Sequence, residues 1–208
     1  MLAYLEQRPD LDAKRLALWG ESLMALNGAL VLDELPWWQV GPQIQHQGEP
    51  LGGLLAILGA LYDPNVRAIA VRNGHANYSS ILDDSFVYVP ADITVPGFLE
   101  AGDIADVEAV WAPKPMLLKD LIEGKNRLVF ANDLRVHLDP LLRSHREVPA
   151  NLTVRSGGPS PVAVWLLAHL AGHSCNKHRE AQATAFHRSE SVEWPPSAAH
   201  QFAQGKMI

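Results

Sequence analysis

The chain has 208 residues, 48% hydrophobic and 19% charged, with a formal net charge of −6 and a single cysteine, Cys175. That length suits one domain with a real core; the acidic balance lacks the basic stripe of a nucleic-acid binder, and one cysteine excludes an intrachain disulfide. No apolar run reaches the roughly 18 residues of a membrane span, and MLAYLEQRPD lacks the features of a signal peptide, so a soluble cytoplasmic chain is expected.

Leu2 and Leu5, with Ala3 and Tyr4, suit a short amphipathic helix that stops before Pro9, because a residue preceding proline disfavours helical angles. Pro9 to Asp12 reads as a turn. Arg15 to Trp19 (RLALW) is a short apolar run expected of a strand covered on both faces. Gly20-Glu21-Ser22 then turns sharply, and Leu23 to Leu32 reads as a helix. Pro36 to Pro50 is loop-like, with Trp37-Trp38 suited to a lid or a cleft wall. Leu51 to Leu61 (LGGLLAILGAL) is an apolar helix whose glycines allow close approach to a neighbour. Asp63-Pro64-Asn65 turns into a second buried strand, Val66 to Val71 (VRAIAV).

Short helices are expected around Ser79 and Asp103, with Asp83-Asp84 and Asp103-Asp106 as solvated turns and helix starts. APKPMLL, from Ala112, is a proline-started strand. Residues 128–146 read as a helix, Asn151 to Arg155 (NLTVR) as a fourth strand, and Val162 to Leu170 (VAVWLLAHL) as a closing helix. Strands alternating with helices predict an α/β fold with a short, mostly parallel sheet flanked by helices. Residues 172–208 hold four of the nine histidines and no sustained apolar period. They read as a loosely packed or flexible tail beyond a domain of residues 1–171.

The chemistry turns on Ser22. Serine fills a helix N-cap well, and the same tight turn is where a nucleophile is exposed above a sheet. His173, Cys175, His178 and His187 have ligand types that a tetrahedral zinc site accepts, but a cluster with one cysteine in a polar tail is a weak signal, and no metal is expected. No glycine-rich phosphate loop with a lysine is present, and no cofactor is expected.

Taken in order, YLEQRPDLDAKRLALWGESL, EPLGGLLAILGALYDPNVRAIAVRNG and APKPMLL resemble consecutive segments of the α/β-hydrolase superfamily, in its acetyl-xylan-esterase and dienelactone-hydrolase-like branch. The resemblance covers roughly residues 1–170 and corresponds to the C-terminal half of that fold, since only 14 residues precede RLALW. It implies Ser22 as nucleophile, the Leu23 backbone amide as oxyanion donor, Glu123 as triad acid with Asp120 as runner-up, and a histidine base. Chain order points to His173 for the base, with His169, His75 and His145 as alternatives.

Three departures accompany it. Met24 stands where the Gly-x-Ser-x-Gly pattern has its second glycine. The strands that precede the nucleophile in the superfamily are missing. The loop Ser156 to Pro161, where the base normally sits, has no histidine.

Two functions follow. One is a serine-dependent hydrolase of carboxylic esters or lactones. The other is a catalytically inactive half-domain that binds or assembles, with a homodimer or a partner chain closing an open sheet edge. Besides an ester or lactone, no nucleic-acid or membrane partner is expected.

Overall fold

The computed structural model describes residues 2–28, 30, 35, 45–158 and 161–171. Four parallel strands, β1 (Leu16–Glu21), β2 (Val66–Arg72), β3 (Met116–Lys119) and β4 (Leu152–Arg155), lie side by side in chain order. Helix α1 (Leu2–Glu6) precedes them. The connections carry α2 (Leu51–Tyr62), then α3 (Ser79–Asp83), α4 (Phe98–Ala101) and α5 (Ile104–Val110), then α6 (Ala131–His137) and α7 (Asp139–Ser144). Helix α8 (Val162–Leu170) follows β4.

Every crossover advances the sheet in one direction, and parallel crossovers are right-handed. The connecting helices therefore stack on a single face. Leu54, Ile57, Ile69, Ile104, Met116 and Leu141 are buried in the resulting core. The return helix α8 covers the opposite face, where Val162, Trp165 and Leu166 pack on Ala68, Ala70 and Leu117. The alanines leave room for the Trp165 ring, whose Nε1 donates to Thr153 Oγ1 at 3.3 Å. All four residues of β3 are buried, as a strand covered on both faces requires.

Local rules account for the boundaries. Asp103 and Asp106 form a capping box at the start of α5. The helix expected over 128–146 is two helices: Pro140 lacks the N–H a continuous helix would use, and the chain breaks at Leu138 between α6 and α7.

The expected helix from Leu23 does not form over residues 23–28. Long-range bonds hold this stretch instead. Asn126 Nδ2 donates to Ala25 O at 2.9 Å, and Asn27 N donates to Asn126 O at 2.9 Å. Asn27 Nδ2 donates to Lys125 O and His46 O, both at 2.9 Å. Main-chain groups that a helix would pair internally are thus bound elsewhere.

Trp37 and Trp38, and the whole segment 172–208 with its histidines and cysteine, lie outside the described residues. No helix among the described residues is long and apolar enough to cross a membrane.

Candidate functional site

Ser22 follows directly on β1, at the carboxyl end of the sheet, where parallel α/β proteins place their ligands. Its N–H donates to Arg72 O at 3.2 Å, and its carbonyl accepts from Asn73 Nδ2 at 3.0 Å. Asn73 takes a left-handed φ of 50°, a conformation asparagine tolerates. The hydroxyl is buried, with the residue 2% exposed. Its oxygen accepts from Glu49 N at 3.0 Å. Glu49 immediately precedes Pro50, the N-cap of α2. The helix end near Ser22 is therefore that of α2, and no helix starts at Leu23.

Glycines let that helix end come so close. A Cβ built on Gly20 would lie 1.9 Å from Gly52 O and 2.8 Å from Gly53 Cα. On Gly52 it would lie 2.9 Å from Glu21 O. The small residues that a strand-to-helix turn needs beside its serine are Gly20 on one side and Gly52-Gly53 on the other. The chain segment between Leu23 and Pro50 separates the serine from its helix. The Gly-x-Ser-x-Gly pattern places its second small residue at Met24, two positions after the serine, and does not reach across to Gly52. The glycine pair opening LGGLLAILGAL is the signal of this contact.

The other expected triad members do not meet Ser22 among the described residues. The Glu123 carboxylate is ion-paired with Arg127, within a tight loop closed by Glu123 N donating to Arg127 O at 3.0 Å. Asp120, at a left-handed φ of 54°, lies 2.7 Å from Lys119 Nζ and accepts from Gly157 N at 2.6 Å. The buried Lys119 also donates to Gly158 O at 3.0 Å. This cluster fastens the loop after β4, the one that lacks a histidine. The Leu23 side chain is exposed.

The histidines divide sharply. His173 lies outside the described residues. His169 stacks on Trp165 with ring centroids 3.9 Å apart. His145 is buried, with Nδ1 3.2 Å from Leu141 O and Nε2 3.3 Å from Lys114 O, so it pins α7 to the segment before β3. His75, beyond the end of β2, is also buried. Its Nε2 lies 3.5 Å from Ser80 Oγ, and its Nδ1 has no hydrogen-bond partner. It lines a cavity of about 10 Å³ with Pro50, Gly53, Leu54, Tyr78 and Ile93, scarcely the room of one water. Burial lowers its pKa to about 4, against a smaller opposing pull from Asp103, so the ring is neutral at pH 7. One turn beyond the cavity-lining Ile104 on α5, the fully buried Glu108 is pushed up to about 8 by burial, then by Asp103.

Among the described residues no group of three or more His, Cys, Asp or Glu could hold a metal ion. The chain matches no protein-family model, no curated protein and no solved structure.

Proposed function

We propose that the chain is a serine-dependent hydrolase of carboxylic esters or lactones, with Ser22 as its nucleophile. One observation carries this reading: the Ser22 hydroxyl sits at a strand end against the backbone entering α2, in a contact closed by Gly20 and Gly52. A nearby helix N-terminus favours negative charge developing there. The hydroxyl attacks the acyl carbon while a histidine, His173 in this scheme, takes its proton. Glu123 orients that histidine, and the Leu23 amide donates to the oxyanion. Collapse of the intermediate breaks the acyl C–O bond as the protonated histidine gives its proton to the departing alcohol, or to the opened lactone's hydroxyl. Water, deprotonated by the same histidine, then attacks the acyl-serine, releasing the acid and regenerating Ser22.

A second reading has its own support. Ser22 is nearly inaccessible and Glu123 is engaged by Arg127, as expected of an inactive half-domain that binds or assembles. Turnover of p-nitrophenyl acetate and of an acyl-homoserine lactone, compared with Ser22→Ala, separates the two. Turnover lost in the variant supports the hydrolase. Equal rates, or none in either protein, leave the binding reading.

A further inference from the structure

We infer that β1 is a homodimer interface, in which two copies pair antiparallel about a two-fold axis through Leu18 and join their sheets. This inference is independent of whether Ser22 turns over a substrate.

Among the described residues nothing pairs with the outer edge of β1. Leu16 N donates to Asn65 O and Ser22 N to Arg72 O. The even-numbered main-chain groups therefore point to β2, and those of Ala17, Trp19 and Glu21 point outward. Side chains alternate as well. Leu16 and Leu18 pack toward α2, whereas Ala17 packs toward α8. Trp19 shares the face of Ala17 and is 47% exposed. Purely parallel sheets are normally covered on both faces, so an exposed tryptophan on an open edge marks a surface awaiting a partner.

The sequence of β1 complements itself in one register. Opposed residues of an antiparallel pair must share a face. Centring the axis on Leu18 sets Trp19 opposite the partner's Ala17 and Leu16 opposite its Gly20, large against small. It also sets Arg15 opposite the partner's Glu21. Arg15 is exposed and holds Asp12 at 2.5 Å at the start of the strand, so facing the partner's Glu21 would give it a second carboxylate; Glu21 reaches Arg72 only at 3.7 Å. Ala17 and Trp19, whose N–H and C=O point outward, would exchange main-chain hydrogen bonds across the axis. Moving the axis to residue 19 instead opposes Trp19 to Trp19 and leaves Arg15 against Leu23. On α2, which packs over β1, Leu55 and Tyr62 are seven residues apart and both exposed. They share a helix face with Gly59, where an added carbon would meet Leu18 Cδ1 at 3.3 Å.

The test is sedimentation velocity of the full chain over a range of concentrations. A species of twice 22.8 kDa is expected. Trp19→Lys places a charge on the edge and is expected to weaken association about tenfold. Arg15→Glu and Glu21→Arg should each weaken it, and the double variant should restore it, with circular dichroism confirming that each variant folds. In a Cys175→Ser background, Leu18→Cys should form a disulfide-linked dimer on oxidation and Trp19→Cys should not. A monomer at every concentration, a dimer indifferent to the charge reversals, or cross-linking through residue 19 instead of 18 overturns the inference.

Discussion

Gly20→Ala puts a methyl group where none fits. Its carbon would stand 1.9 Å from Gly52 O, 2.4 Å from Gly52 C and 2.8 Å from Gly53 Cα. All three are backbone atoms, so no rotamer change relieves the clash. Carbon contacts settle near 3.5 Å, which requires the start of α2 to retreat from β1 by more than about 1 Å. Overpacking of this kind costs about 2–3 kcal/mol, or about 5–10 °C in Tm for a chain of this size. The same helix supplies its own comparison. At Gly59 the added carbon would meet only Leu18 Cδ1, at 3.3 Å, the mobile end of a side chain. Gly59→Ala replaces a poor helix former, so it should be neutral or up to about 1 kcal/mol stabilising. Urea denaturation of both variants reads these values directly. Gly20→Ala within about 0.5 kcal/mol of the parent would refute the close approach of strand and helix. The retreat also draws Glu49 N away from Ser22 Oγ, so any esterase activity should fall with stability.

Two other perturbations test the buried polar groups. The folded Glu108 carboxyl keeps its proton to about pH 8, against 4.5 when exposed, so its favourable contribution is complete below pH 4.5 and is lost as pH rises through 8. His75, lowered from 6.5 to about 4, acts oppositely and only below pH 6.5. Between pH 6.5 and 8 stability should therefore decline by on the order of 1–2 kcal/mol, and Glu108→Gln should flatten that decline in urea titrations; an unchanged slope counts against a protonated Glu108. Asn126, buried at a φ of 55°, donates to both Ala25 O and His46 O. Asn126→Ala should cost about 2–4 kcal/mol in the same assay, and Asn126→Gly, free of the left-handed strain, about 1 kcal/mol less; two variants matching the parent would show that this clamp carries no stability.

The sheet was legible because its signals are local. VRAIAV and APKPMLL are apolar runs bounded by turn residues, and they form β2 and β3 within a few positions of the expected limits. LGGLLAILGAL and VAVWLLAHL are long enough to be helices, and they are α2 and α8. The segment after Ser22 was misread for the opposite reason. Leu23 to Asn27 has acceptable helix formers, but its conformation is set by Asn126, about a hundred positions away, and no local pattern announces that bond. The break at Leu138 is legible in Pro140, which cannot continue the single helix expected over 128–146. At the candidate site, Ser22 was visible as the end of a strand. Its contact with α2 was not, because it joins two short motifs across a long intervening segment. His75 and Glu108 owe their shifted protonation to burial by several separate elements, which a linear reading does not supply.

A nucleophilic Ser22 should displace fluoride from a fluorophosphonate and carry the resulting phosphonyl group. The full chain is treated with a fluorophosphonate, and the modified peptide is identified by mass spectrometry. One adduct per chain is expected, on Ser22, absent from Ser22→Ala and suppressed by an ester substrate. No adduct, or an adduct on another serine such as Ser80, would contradict a nucleophilic Ser22.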